Sequence, residues 1–412
     1  MRNRHPELLI PASSLEVLKT AVMFGADAVY IGGEAFGLRA KAKNFSMEDM
    51  KEGVQFAHEH GVRVHVTVNI LAHNDDLEGA AEYLKELKEI GPDALIIADP
   101  AIFMLAKEIC PEIERHVSTQ ANNTNYGTFN FWWNLGAKRV VTARELSLKE
   151  IREIRAHIPA EMEIESFIHG AMCISYSGRC LLSNFFTGRD ANQGACTHPC
   201  RWKYSVVEET RPGEYMPVYE NERGTYIFNS KDLCMIEHIP EMIDAGIDSF
   251  KIEGRMKTAL YVATVARTYR KAIDDYLEDP KKYEANMPWY RDQISNCTYR
   301  QFTTGFYFGK PGDESQIYDS NTYIKEYTYL GIIGGIKDGM YRIEQRNKFS
   351  VGETVEIMKP DGQNVEVTVE KIIDEDGQEQ ESAPHPKQVL YVALSGEASV
   401  YDILRRQEGV TE

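Results

Sequence analysis

Gly25-Ala-Asp-Ala-Val-Tyr-Ile31 returns along the chain as Gly91-Pro-Asp-Ala-Leu-Ile-Ile97, as Gly136-Ala-Lys-Arg-Val-Val141 and as Gly246-Ile-Asp-Ser-Phe-Lys-Ile252. Each copy reads as a glycine closing a helix, one or two polar turn residues, and a short apolar strand with no polar face. Working outward, each strand is followed by an amphipathic stretch of helical period. Strand-like runs fall at 7–12, 28–32, 63–71, 94–98, 115–119, 139–143, 161–168 and 249–253. Helical stretches fall at 14–25, 47–60, 75–90, 100–109, 126–135, 147–157 and 258–276. Eight strand–helix units, the seventh interrupted, predict an α/β fold of the (β/α)8 TIM-like barrel type. A doubly wound sheet is the alternative. It is weakened because no G-x-G-x-x-G follows the first strand.

The barrel is expected to occupy residues 1–280, with a cysteine-rich insertion at 169–204 and a hairpin near 203–207. Residues 281–328 read as an irregular, tyrosine-rich connection. Residues 329–412 read as a small C-terminal all-β barrel domain, with strands at 330–336, 341–344, 354–358, 365–373 and 389–394 separated by Lys-Asp-Gly, Pro-Asp-Gly and Glu-Asp-Gly turns.

With 412 residues, 43% of them hydrophobic, the chain has material for a large core and a second domain. No apolar run approaches the roughly 18 residues of a membrane span, and the N-terminus carries no signal-like stretch, so a soluble, cytoplasmic protein is expected. A net charge of -17 argues against non-specific nucleic-acid binding, which depends on Lys and Arg. Between Glu165 and Tyr204 the balance reverses locally, with Arg179, Arg189, Arg201 and Lys203 against Glu165 and Asp190.

Four of the seven cysteines, Cys173, Cys180, Cys196 and Cys200, are spaced C-x6-C-x15-C-x3-C on a segment without helix or strand period. Four thiols on irregular backbone in a reducing compartment point to one soft metal centre. The donor set suits either zinc or an iron–sulfur cluster, and the wide spacing favours the larger object. Cys110, Cys234 and Cys297 lie on or beside apolar helical stretches and read as buried thiols. In a (β/α)8 barrel the chemistry gathers at the C-terminal strand ends. The polar residues expected there are Glu34, Asn69, Asp99, Gln120, Arg144, Glu145, Glu165, His169, Glu253 and Arg255. Glu165, His169 and Glu253 are the candidate catalytic groups among them.

The stretch Glu165-Ser-Phe-Ile-His-Gly-Ala-Met-Cys-Ile-Ser-Tyr-Ser-Gly-Arg-Cys-Leu-Leu-Ser183 resembles the signature of the peptidase U32 family. The resemblance extends over most of residues 7–275, through Asp27-Ala-Val-Tyr-Ile-Gly, Arg39-Ala-Lys-Ala-Lys-Asn-Phe, Ser118-Thr-Gln and Lys251-Ile-Glu-Gly-Arg. That family was first described as collagenase-like peptidases, and its understood members are mostly oxygen-independent hydroxylases. The resemblance implies a 4Fe–4S cluster on Cys173, Cys180, Cys196 and Cys200, with zinc as the alternative. A barrel followed by one short β domain is similar to the branch that forms 5-hydroxyuridine at the tRNA wobble position with prephenate as co-substrate. On that resemblance Arg39, Arg144 and Arg255 would meet prephenate carboxylates or RNA phosphate; ion pairs with Glu34, Glu145 and Glu253 on the barrel rim are the alternative for each. The expected partners are tRNA, prephenate and a homologous U32-family subunit. Two other readings stay open: a U32-type peptidase, and a non-catalytic partner of a homologous hydroxylase. No H-E-x-x-H supports the first, and cysteines holding a cluster are not free nucleophiles.

Overall fold

The computed structural model describes residues 5–34, 36, 44–173, 175–177, 179–189, 191, 196–201, 205–206, 216–217, 229–297, 301–311, 316–317 and 326–408. Arg39 lies outside them. Eight strands are hydrogen-bonded in parallel: β1 (Glu7–Pro11), β2 (Ala28–Gly32), β3 (Arg63–Val68), β4 (Ala94–Ile97), β5 (Glu114–Val117), β6 (Arg139–Val141), β7 (Glu163–Gly170) and β8 (Ser249–Ile252). Each pairs with the next, and β8 pairs with both β7 and β1, so the sheet closes on itself as a barrel. Between successive strands run α1 (Leu15–Met23), α2 (Met47–Glu59), α3 (Asn74–Ile90), α4 (Pro100–Ile109), α5 (Tyr126–Leu135) and α6 (Leu148–His157).

The repeated joints have a physical reason. Gly25, Gly91, Gly136 and Gly246 all adopt positive φ, from 73° to 100°, which lets the chain leave the preceding helix without a Cβ clash. The aspartate two residues later locks strand register. Asp27 donates its N–H to Leu8 O and accepts the Leu8 N–H on its carboxylate at 2.8 Å. Asp93 does the same with Val64 at 2.7 Å, and Asp248 with Ile164 at 2.9 Å. At the third joint Lys138 keeps only the backbone bond to Arg115 O, and its ammonium binds Glu161 O instead.

The long connection from β7 to β8 holds the helix Leu182–Thr187, the antiparallel pair Ser205–Val206 with Met216–Pro217, the strand Asp232–Cys234 and the helix Ile239–Asp244. Asp232–Cys234 runs antiparallel to the end of β7 and extends the sheet there.

The chain divides into two compact units: Met1–Lys19, Asp27–Met256 and Arg300–Thr322 in one, Thr20–Ala26, Lys257–Tyr299 and Tyr323–Glu412 in the other. In the second, Thr354–Met358, Ile403–Gln407, Tyr327–Lys337, Met340–Glu344, Val389–Leu394 and Asn364–Asp374 pair antiparallel in that order, and the last returns to the first. Leu330, Ile333, Ile343, Phe349, Ile357 and Leu404 are among its fully buried core. The expected irregular stretch after residue 280 begins as a helix, Pro280–Ser295. Asp279 caps it through Lys281 N–H, Pro280 sits in its first turn, and Asp275 of the preceding helix accepts bonds from Tyr290 at 2.5 Å and Asn286 at 2.8 Å. Among the described residues, no helix is long and apolar enough to cross a membrane.

Candidate active site

Charged residues from non-adjacent strands meet inside the barrel. Arg139 of β6 reaches Glu7 of β1 at 2.5 Å, Glu163 of β7 at 2.7 Å and Glu165 of β7 at 3.2 Å. Strands β1 and β6 are not neighbours, so the Arg139–Glu7 contact crosses the lumen, whereas Glu163 and Glu165 sit on the adjoining strand. Lys251 of β8 binds the other Glu165 oxygen at 2.6 Å, and its ammonium lies 4.5 Å from the Tyr30 ring centre. Burial alone would raise the Glu7 carboxyl, but the Arg139 charge and bonds from Arg139 and Ser249 outweigh it and hold it well below the usual carboxylate range. His65 of β3 and His116 of β5 pack edge to face at 4.8 Å, and burial keeps both imidazoles neutral, well below their usual 6.5.

This placement corrects one expectation. Glu165 is the third residue of β7, not its last, and is wholly buried. His65, His116 and Glu165 bring ligand atoms within 4.8 Å of one another, as a metal site would. However, both Glu165 oxygens already serve Lys251 and Arg139, so a divalent cation there would face two fixed positive charges. The cluster is a charge-compensated core layer.

The other end of the barrel is built differently. After β6 the chain presents Arg144 and Glu145. Arg144 donates to Ala171 O at 2.8 Å, lies 3.6 Å from Glu253, and stacks over Phe167 at 3.9 Å. Among the described residues its Nε is buried without a partner. Burial raises the Glu145 carboxyl. Arg255, six percent exposed, reaches from beyond β8 to Thr67 of β3 at 3.1 Å and Asn44 at 3.2 Å. It passes where a side chain on Gly32 would stand, 1.6 Å from the guanidinium, so a larger residue there would displace Arg255. Gly170, at φ 108°, makes similar room: a Cβ would lie 2.3 Å from Glu253 O. His169, one percent exposed, is at the end of β7, where its carbonyl accepts the Glu253 N–H at 2.8 Å. Arg144, Arg255, His169 and Glu253 therefore do lie at the C-terminal strand ends. Glu34, also there, is exposed.

The cysteine segment leaves from this same end. Ala171 and Ser177 are tied across it by Arg144 and by Asn122, whose amide donates to Ser177 O at 3.4 Å. A small open cleft is lined by Thr119, Arg144, Glu145, Met172, Cys173, Ser175 and Ser177. Cys173 thus shares one cleft with the barrel-mouth arginine. Cys173 and Cys196 are exposed, Cys180 and Cys200 half-buried, and none is disulfide-bonded. The His198 backbone N–H donates to Cys196 Sγ at 3.4 Å, with His198 at φ 55°. Such N–H···S bonds stabilise a thiolate, the form that ligates a soft metal. Four unbridged thiols on one connection are thus a donor set that fits an iron–sulfur cluster. Of the three remaining cysteines, Cys110 and Cys297 are buried as expected, whereas Cys234 is half-buried on a short strand, not a helix.

Sequence reasoning did not single out Asn122, the left-handed cap of the short 3-10 turn Thr119–Ala121, and met Thr119 only inside the Ser118-Thr-Gln motif.

Comparison with known proteins is consistent along the whole chain. The profile described as peptidase family U32 matches residues 13–317, and that of the peptidase family U32 C-terminal domain matches residues 325–405. "tRNA hydroxylation protein P1" of Bacillus subtilis is 43% identical over 98% of this chain and 95% of its own length. "tRNA hydroxylation protein P" of Escherichia coli is 39% identical over 92% of this chain and 91% of its own. The "23S rRNA 5-hydroxycytidine C2501 synthase" of Escherichia coli is 40% identical over 66% of this chain and 40% of its own.

Proposed function

The chain belongs to peptidase family U32, and within it we propose that this protein is a tRNA hydroxylase that forms 5-hydroxyuridine at the wobble position, without oxygen and with prephenate as co-substrate. The observation that carries this reading is the shared cleft, in which Cys173 and Arg144 meet at the C-terminal end of the barrel. The names of the full-length relatives support the tRNA substrate and the hydroxylation.

In this reading Cys173, Cys180, Cys196 and Cys200 hold a 4Fe–4S cluster, which when bound supplies one-electron chemistry or Lewis acidity beside the substrate. The protein's own groups bind and orient. Prephenate carries two carboxylates, and the mouth offers two guanidinium groups. Arg144, with a buried donor to spare at Nε, takes one carboxylate; Arg255, held rigid by Thr67 and Asn44, takes the other. Glu253 keeps the Arg144 guanidinium aimed, at 3.6 Å. His169 and Glu253 stand where a proton could be handed to or from the base. The half-buried Glu145, whose carboxyl burial raises, is a second proton carrier at the cleft wall. The reaction belongs in the cytoplasm, where tRNA is.

Anaerobic purification tests the cofactor. The protein should be brown, absorb near 400 nm and carry about four irons per chain. A colourless protein holding one tightly bound zinc would overturn it. Gelatin cleavage retained after Cys173→Ala and Cys196→Ala would point instead to a peptidase.

A further inference from the structure

The helix Leu182–Thr187, between the second and third cysteines, is inside out. Its hydroxyls face inward: Ser183 is buried and pairs with Thr197 Oγ1 at 3.1 Å, Thr197 N–H donates to Ser183 Oγ at 3.0 Å, and Thr187 Oγ1 lies 3.3 Å from Thr197 Oγ1. These bonds fasten the helix to the segment carrying Cys196 and Cys200. Its large apolar side chains face out. On the helix Phe185 is 81% exposed and Phe186 43%, and ahead of it Leu181 is 74% and Tyr176 45% exposed. Phe185 and Phe186 stand edge to face, 5.1 Å apart. A surface helix normally buries its apolar face, and neighbouring exposed aromatics mark a binding surface. Two exposed arginines, Arg179 and Arg189, bracket the helix in a chain of net charge -17.

We propose that this aromatic face is a stacking platform for unpaired bases of the RNA substrate, with Arg179 and Arg189 on the flanking phosphates. This rests on the reading of the chain as a tRNA hydroxylase. Aromatic side chains interleaved with arginine fit single-stranded RNA, because every base has a face to stack and every linkage a charge to pair. A polar protein partner would leave the phenyl rings uncovered, and a purely apolar one would strand the arginines. A target base that must be splayed from its loop to reach the Cys173 cleft also needs a surface on which its neighbours can rest.

The test uses a fluorescein-labelled anticodon stem-loop bound to the anaerobically purified full chain, read by anisotropy. Phe185→Ala should weaken binding about 5- to 150-fold, the range one stacked base contributes. Phe185→Trp should restore it. Arg189→Gln should flatten the salt dependence by about 0.7 in slope. A photocrosslink from 5-bromouridine in the loop should map to Phe185 or Phe186. If wild type binds the stem-loop and Phe185→Ala binds it equally well, the platform is refuted while the tRNA reading stands. If wild type neither binds nor modifies tRNA, the functional reading itself fails. If Phe185→Ala instead turns a dimer into a monomer in sedimentation without changing RNA affinity, the face is a contact between copies of this chain, and the proposal is overturned.

Discussion

Glu165→Gln separates the core of the barrel from its chemistry. The side chain is wholly buried, with one oxygen 2.6 Å from Lys251 and the other 3.2 Å from Arg139. The substitution keeps the shape and removes the charge. Arg139 loses least, since Glu7 and Glu163 remain at 2.5 and 2.7 Å. Lys251 loses its only carboxylate partner among the described residues and is left over the rings of Tyr30 and Phe167. Breaking a buried pair from one side costs about 3–5 kcal/mol, and the surviving Arg139 contacts put the expected loss near the lower end, ~3 kcal/mol. That is a large share of an ordinary domain's ~5–15 kcal/mol. Urea unfolding at pH 7.5 should show it. Lys251→Met should cost a similar amount, and the double variant should cost less than the sum of the two, because the second change removes the charge that the first left unpaired. The tRNA hydroxylation rate at low temperature, where the variant stays folded, should fall by less than tenfold. A Glu165→Gln protein that unfolds at the wild-type urea concentration yet has lost hydroxylation would refute this reasoning and return Glu165 to the catalytic set.

Other consequences can be checked as directly. His65 and His116 are held neutral by burial while an unfolded histidine titrates near 6.5, so the unfolded chain binds up to two extra protons below that pH. Their contribution is fully present above 6.5 and falls by up to ~2.7 kcal/mol per pH unit below it; a denaturation midpoint that is flat between pH 6.5 and 5.5 would refute the neutral pair. Asp27→Ala removes the carboxylate that accepts Leu8 N–H and should cost about 1–3 kcal/mol, measured by thermal unfolding. Gly32→Ala places a methyl where the Arg255 guanidinium lies, so the KM for prephenate should rise at least about tenfold with little change in kcat. Cys200→Ala should abolish the absorbance near 400 nm and the bound iron, assayed colorimetrically, while far-UV circular dichroism keeps its barrel signature.

The barrel was readable because its grammar repeats. A left-handed glycine, a register-locking aspartate and an apolar parallel strand recur, and parallel strands covered on both faces leave continuous hydrophobic runs. The lumen was less readable. Arg63-Val-His-Val-Thr-Val68 looks apolar with incidental polar residues, yet His65 faces the barrel interior together with Glu7, His116, Arg139, Glu165 and Lys251. Charges at alternate positions in otherwise apolar strands were the available signal, and pairwise compensation across the barrel is visible only once it closes. In the β domain the strand Ile403–Gln407 went unread because Arg405 and Arg406 look like surface residues; Arg405 is in fact buried, with its guanidinium on Glu356. The helix Pro280–Ser295 was hidden by its internal Pro288 and its weak amphipathicity. Spacing singles out Cys173, Cys180, Cys196 and Cys200, and the structure leaves all four unbridged. That Cys173 would share a cleft with Arg144 depended on the Arg144 bond to Ala171 O and the Asn122 bond to Ser177 O, which no spacing rule contains.

The central claim is most directly tested by nucleoside mass spectrometry of tRNA from cells in which this gene is deleted, alongside cells complemented with wild type and with Cys173→Ala. The account predicts that 5-hydroxyuridine and its derivatives disappear from the tRNA pool on deletion, return with wild type, and stay absent with the cysteine variant. Unchanged 5-hydroxyuridine in the deletion strain would contradict it.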